Sequence, residues 1–170
     1  MHIKNSLIGI LGLIAIGFSL LVIPNASIGQ NAAAQSAAVG QKLVGTWDVT
    51  LRFPVCSAAC PCPGGVPNIP FPALQTYSND RTMTEVSGGT LFRSVALGSW
   101  EHARDQQYLA HYAFFIFNTD GTRRAREVVT SQIQLQDQDA FEATATFDLF
   151  APDGTPLATS CPINITGTHF

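Results

Sequence analysis

Residues Leu43–Phe53 read LVGTWDVTLRF, and the apolar residues of this stretch occupy alternate positions. Alternation with a period of two is typical of a β-strand that buries one face. The buried face is predicted to consist of Leu43, Gly45, Trp47, Val49, Leu51 and Phe53. A strand of this kind needs further strands to cover its apolar face, and the rest of the chain supplies them.

Strand-like segments separated by turn sequences follow, such as the Asp-Gly pair at Asp120-Gly121 that tight hairpins favour. They are Ala73–Ser78, Arg81–Ser87, Leu91–Ala103, Gln107–Asn118, Thr122–Gln136, Ala140–Phe150 and Leu157–Phe170. No helical pattern accompanies them. Short sequential connections favour a meander that closes on itself, so we predict an all-β domain over residues 42–170. Its architecture is a single eight-stranded antiparallel up-and-down barrel, wide enough for side chains or one small ligand.

Three of these segments differ in how clearly they show an inner face. Ala140–Phe150 alternates throughout, with Phe141, Ala143, Ala145, Phe147 and Leu149 predicted to face inward. Thr122–Gln136 places Val129, Ser131, Ile133 and Leu135 on one face. Gln107–Asn118 is apolar on both faces toward its end, which favours a central strand covered on both sides and leaves its inner face open.

The first 34 residues have the three parts of a secretory signal. Lys4 lies near the start, Leu7–Ile23 is an apolar run, and small residues lead to a cleavage site after Ala32-Ala33-Ala34. Residues 35–41 are predicted to form a disordered tether. The protein is expected to be periplasmic or extracellular, with the membrane a partner only through the signal segment before cleavage. The alternative is an uncleaved N-terminal membrane anchor.

Composition limits the classes of partner. Charged residues make up 12% of the chain, hydrophobic residues 46%, and the formal net charge is -3. The densest basic stretch, Arg123–Arg126, would divide its arginines between the two faces of a strand. Such a distribution is too sparse to neutralise phosphates, so we exclude nucleic acid as a partner.

The four cysteines predict disulfides in an exported chain, and the segment that holds three of them is rich in proline. A Cys60–Cys62 bond would close a very small, strained ring. We therefore expect Cys161 to pair with Cys60 or Cys62, and Cys56 to pair with the other. Either pairing ties the proline-rich loop to the last strand and staples the seam of the barrel. Four thiolates binding a soft metal are the alternative.

Gly45-Thr46-Trp47 resembles the G-x-W motif that opens the first strand of lipocalins and other calycins. The later hairpins, including Gly98-Ser99-Trp100 and Thr119-Asp120-Gly121, look like those of small secreted bacterial lipocalin-like or allene-oxide-cyclase-like barrels. The resemblance implies structural roles for Gly45 and Trp47, with Trp47 at the closed end of the barrel beneath an arginine of the last strand. The last strand of this chain has no arginine, which leaves Arg123, Arg124 or Arg126 to cover Trp47.

An aromatic-rich inner face is the expected place for a ligand. The candidate ligand-binding residues are Trp100, Tyr108, His111, Tyr112, Phe114 and Phe147. No catalytic or phosphate-binding signature is present, and we expect neither a cofactor nor a metal. The predicted function is to bind a small apolar ligand in the lumen.

Two alternatives remain open at the level of sequence. The first is a structural or interaction module of the cell envelope, whose lumen is packed with side chains. The second is a cofactor-free isomerase or cyclase of the allene-oxide-cyclase type. The second alternative requires a buried Glu, His or Tyr in the lumen, such as Glu85, His111 or Tyr112.

Overall fold

A computed structural model describes residues 41–88 and 92–170; the predicted signal segment, and the predicted tether apart from Gln41, lie outside them. The described residues form eight β-strands and two short 3-10 helices, at Gln41–Leu43 and Pro63–Gly65. The strands are β1 (Gly45–Arg52), β2 (Phe71–Tyr77), β3 (Thr82–Ser87), β4 (Ala96–Arg104), β5 (Gln107–Phe117), β6 (Arg123–Leu135), β7 (Ala140–Phe150) and β8 (Pro156–His169). Each strand pairs antiparallel with the next, and β1 pairs with β8 to close the barrel. The predicted fold class is confirmed, and the architecture is consistent with a lipocalin-like fold.

The core lies inside the barrel because one face of each strand carries most of its large apolar residues. β1 buries Trp47, Val49 and Leu51, as its alternation predicts. The predicted inner faces of β6 and β7 are buried as well, apart from Leu149, which is half-buried at the end of β7 and packs against the core. Closure by the β1–β8 pairing leaves no unpaired edge strand in the barrel, which removes a template for aggregation.

The prediction that β5 is covered on both sides is wrong. Its inner face consists of Tyr108, Ala110, Tyr112 and Phe114, all of them buried. Leu109 and Phe115 on the opposite face are 36% and 39% exposed. A barrel made of one sheet covers only its inner face, so the apolar residues on the outside of β5 remain in contact with solvent.

Trp47 fills the end of the barrel at which β1 begins and β8 ends, here called the closed end. Its indole Nε1 donates a hydrogen bond to the carbonyl oxygen of Leu43 at 2.9 Å, and its side chain is fully buried. Phe141 and His169 contact the indole edge-on, at centroid distances of 5.0 and 4.9 Å. Gly45 has a φ of 145°, and a Cβ at that position would collide with the His169 ring.

His169 therefore takes the place expected for an arginine against Trp47. The expectation that Arg123, Arg124 or Arg126 covers Trp47 is wrong, because all three lie near the opposite end of the barrel. Arg126 pairs with Phe150, the last residue of β7, and its guanidinium lies over the Phe150 ring. We call that opposite end the mouth.

Two disulfides join the segment between β1 and β2 to itself and to β8. Cys60 pairs with Cys161 and Cys56 with Cys62, which is one of the two predicted arrangements. The long-range bond links the loop after β1 to the strand that pairs with β1, so it staples the seam as predicted. The sulfurs are bonded to one another, which leaves no thiolate for the alternative soft-metal site.

Disulfides of this kind indicate an oxidising, exported environment. Within the described part of the chain, no helix has the length and apolar character needed to cross a membrane.

Candidate functional site

A chain of polar side chains runs through the apolar lumen between β2 and β3. Gln75 and Glu85 lie opposite each other in the sheet and are each 1% exposed. The amide of Gln75 donates to Glu85 Oε2 at 2.8 Å and accepts from the hydroxyl of Tyr77 at 2.7 Å. Burial of polar atoms is costly unless they are paired, so these hydrogen bonds are needed to hold Gln75, Glu85 and Tyr77 in the core.

Arg93 brings a positive charge into the lumen beside Gln75 and Glu85. Its Nη2 donates to Glu85 Oε1 at 2.6 Å, and the two side chains are 9% and 0% exposed. The guanidinium also lies 3.5 Å from the centroid of the Phe114 ring, where cation–π attraction stabilises it. An ion pair this deeply buried is sensitive to the loss of either partner, since the remaining charge would be left uncompensated.

A shift in strand register directs Arg93 inward. Leu97 pairs with Ala113 in the β4–β5 ladder, whereas Arg93 bridges to Ile116, one residue out of step with that ladder. Ile116 shares the inner face of β5 with Phe114, so its partner also faces the lumen. The irregular residues between Arg93 and β4 thus turn the Arg93 side chain into the lumen. In a continuous strand the same residue would face the outside of the barrel.

Tyr112 joins the polar chain from β5. Its hydroxyl oxygen accepts a hydrogen bond from Gln75 Nε2 at 3.4 Å. Burial, together with the Glu85 carboxylate, raises the pKa of Tyr112 well above its usual value, so the phenol stays protonated. Within the described residues this hydroxyl donates no hydrogen bond, so its proton is free for another partner.

Glu127 is a second carboxyl group on the inner face, near the mouth. It lies on β6 opposite Phe114, whose ring contacts Arg93. Burial raises the pKa of Glu127 to about 7; the Arg93 guanidinium lowers it and the Glu85 carboxylate raises it. Its carboxyl forms no hydrogen bond or ion pair with the described residues. Near neutral pH this group can therefore either donate or accept a proton.

We call Gln75, Tyr77, Glu85, Arg93, Tyr112 and Glu127 the polar cluster. Three buried atoms around it have no hydrogen-bond partner in the described part of the chain, namely Ser87 Oγ, Arg93 Nε and Ser131 Oγ. Ser131 lies in a row of small inward-facing side chains, with Ala110 opposite on β5 and Ala145 opposite on β7. An unpaired hydroxyl thus faces the part of the lumen where side chains are smallest.

The structure brings only part of the predicted ligand-binding set to the polar cluster. Tyr112 and Phe114 contact its members, as described above. Phe147 lies in the same half of the barrel and contacts Phe53 edge-on at a centroid distance of 6.0 Å.

Of the other predicted residues, Trp100 reaches a member of the polar cluster, since its ring contacts that of Tyr77 edge-on at a centroid distance of 6.3 Å. Trp100 and Tyr108 pack together toward the closed end, where the Trp100 indole donates to the carbonyl of Ser78 at 3.0 Å. His111 faces outward, is exposed, and has its Nδ1 3.0 Å from Thr130 Oγ1. Its place on the outer face of β5 separates it from the lumen.

Four members of the polar cluster, Gln75, Tyr77, Arg93 and Glu127, are missing from the residues singled out by sequence. The sequence could have indicated that Glu127 faces inward, because this residue continues the inner-face spacing of Val129 and Ser131 by one step toward the mouth. Gln75 also lies on the inward-facing alternation of its strand. No pattern identified Arg93, since its inward orientation depends on the register shift.

Two depressions on the molecule lie on the outer wall. One of about 570 Å³ is lined mostly by outward-facing polar residues of β5 to β8, and one of about 470 Å³ extends over β4, β5 and β6. His111 borders the second. The inward-facing apolar side chains of the lumen pack against one another in a single core cluster.

Comparison of the chain with protein-family models, with curated proteins and with solved structures finds no match. We therefore base the functional proposal on the chemistry of the lumen.

Proposed function

We propose that this protein is a lipocalin-like, calycin-type barrel that binds a small, mainly apolar ligand in the mouth half of its lumen. The observation that carries the proposal is the set of unpaired polar atoms around the polar cluster. A buried donor or acceptor without a partner costs about 1–3 kcal/mol, and most buried polar groups in folded proteins are satisfied. A bound molecule that pairs with these atoms would recover that cost.

The walls around the polar cluster favour an apolar body for the ligand. Phe71, Phe114, Phe147 and Val129 are buried around it, each no more than 9% exposed. A few polar groups set in an aromatic and aliphatic lining are typical of small-molecule sites. The polar cluster would orient the ligand, while the walls would supply most of the affinity.

Titration of isotope-labelled protein with fatty acids, retinoids and terpenoids, followed by NMR, tests this proposal. We expect saturable shifts in amide signals of β5 and β6 near Phe114 and Glu127. Tyr112→Phe should weaken binding roughly 3- to 10-fold, since it removes one hydrogen-bonding hydroxyl at nearly constant volume. His111→Ala, on the neighbouring outward position, is the matched control and should leave affinity unchanged. Absence of saturable shifts with every ligand class would refute lumenal binding.

A structural or interaction module of the cell envelope is the second candidate. The packing of the inward-facing side chains favours it, together with the disulfide-bonded loop at the mouth. This candidate predicts that no ligand of any class enters the lumen, so the same titration separates it from the first.

A cofactor-free isomerase or cyclase is the third candidate. It requires a buried acid or phenol in the lumen, and Glu85 and Tyr112 are both 1% exposed there. His111 does not meet the requirement, because it faces solvent. Turnover of a bound ligand that is lost in Tyr112→Phe would support this candidate over simple binding.

A further inference from the structure

We infer that the ligand carries a neutral hydrogen-bond-accepting oxygen, as in a ketone, aldehyde, enone or quinone, and that Glu127 discriminates against organic anions. The inference rests on the proposed lumenal binding and names the chemistry of the group bound at Arg93, Tyr112 and Glu127.

The unsatisfied atoms of the polar cluster are mainly donors. The Nε–H of Arg93 can only donate, and this nitrogen is buried with no partner among residues 41–88 and 92–170. The Tyr112 hydroxyl accepts from Gln75 and donates to none of the residues that the structure describes. The Ser131 hydroxyl, 2% exposed, can also donate. A ligand that satisfies these donors must bring an acceptor oxygen into the lumen.

The charges around these donors disfavour a negative ligand. Arg93 is the single cation of the polar cluster, and Glu85 already pairs with it at 2.6 Å. Glu127 is a second acid on the inner face, opposite Phe114, whose ring lies 3.5 Å from the Arg93 guanidinium. A carboxylate ligand would add a third negative group to one buried positive group, and repulsion in a poorly solvated site is strong.

A cationic ligand does not fit the same atoms. An ammonium group has donors and no acceptor, so it would leave the Arg93 Nε–H and the Tyr112 hydroxyl proton unpaired. It would also meet the Arg93 guanidinium, which already occupies a position over the Phe114 ring. A neutral carbonyl avoids both penalties and leaves the Arg93–Glu85 pair intact.

Probes that share one carbon chain test the inference. Binding of 2-decanone, decanoate and decylamine to the full chain with intact disulfides is measured by calorimetry at pH 8, where the Glu127 carboxyl is mostly ionised. We expect the ketone to bind at least about 10-fold more tightly than either ion. In Glu127→Gln the ratio of ketone to decanoate affinity should fall by roughly 10-fold. Glu142→Gln, an exposed position on the outer face of β7, is the charge-matched control and should keep the wild-type ratio.

A spectroscopic measurement on the wild-type protein does not depend on any variant folding. The carbonyl stretch of bound, carbon-13-labelled 2-decanone should shift to lower frequency than in hexane, because donors polarise the bond. Arg93→Lys retains the charge and removes the Nε–H, and should reduce that shift.

The outcomes separate this inference from the proposed function. If decanoate or decylamine binds as tightly as the ketone, or if the bound carbonyl stretch matches that in hexane, the inference is overturned while lumenal binding stands. If none of the three probes binds, the inference fails, and the titration with fatty acids, retinoids and terpenoids decides separately whether lumenal binding stands. A ketone preference that Glu127→Gln leaves unchanged also overturns the role of Glu127.

Discussion

Replacement of Glu127 by Gln should change how the stability of the barrel depends on pH. Burial raises the pKa of this carboxyl to about 7 in the folded protein, against an ordinary value of 4.5. Between these values the folded state holds a proton that the unfolded state has released. The free energy of unfolding of the wild-type protein therefore receives a contribution that falls as pH rises from about 4.5 to about 7, and is constant outside that window.

The size of the effect follows from the difference between the two pKa values. Each pKa unit corresponds to about 1.4 kcal/mol, so the contribution of Glu127 changes by about 3–4 kcal/mol across the window. Glutamine has the shape of the protonated acid and does not titrate. Glu127→Gln should match the wild type near pH 4 and become progressively more stable than it up to about pH 8.

Urea unfolding at a series of pH values, with both disulfides intact, measures the difference between the two proteins. Subtraction removes the pH dependence shared by both proteins, such as that of Asp80 and Asp120, whose pKa values are lowered by hydrogen bonds from Thr82 and Thr122. The exposed Glu142→Gln serves as the control, and its difference from wild type should be nearly constant with pH. A constant difference for Glu127→Gln, or one in which the wild type gains stability as pH rises, would refute the burial of this carboxyl beside Glu85.

Three further changes test other parts of the structure by urea unfolding. Gly45→Ala should cost about 1–3 kcal/mol, because the backbone there has a φ of 145° and the ring of His169 occupies the Cβ position; an unchanged midpoint would contradict the packing at the closed end. Arg93→Met should cost about 3–5 kcal/mol by leaving the Glu85 carboxylate buried alone, and adding Glu85→Gln should recover a large part of that loss; additive losses would exclude a coupled pair. Loss of the Cys60–Cys161 bond, which joins residues 101 apart, should cost about 5 kcal/mol in the chain-entropy description, and a loss below about 1 kcal/mol would contradict it.

Much of the barrel could be predicted because one physical pattern recurs along the chain. β1 and β7 alternate between apolar and polar residues without interruption, so their inner faces were evident from sequence. The G-x-W resemblance placed Trp47 at the closed end. The cysteines were expected to tie the loop to β8, although the choice between Cys60 and Cys62 as the partner of Cys161 depends on three-dimensional distances.

The candidate site was less predictable, because it consists of polar residues on faces that are otherwise apolar. On β5 both faces contain aromatic residues, so sequence could not separate the inward Tyr112 from the outward His111. Arg93 turns inward only because the chain slips by one residue before β4. Sequence periodicity describes regular strands, and a shift of one residue reverses what it implies.

The position of the two chain ends has a consequence for how the protein meets its surroundings. β1 begins, and β8 ends, beside Trp47, since His169 is its partner across the seam. The first 40 residues therefore connect to the barrel on the side opposite its mouth. If that segment holds the chain at a membrane, the attachment is made away from the mouth, so it does not obstruct entry of a ligand toward Arg93 and Glu127.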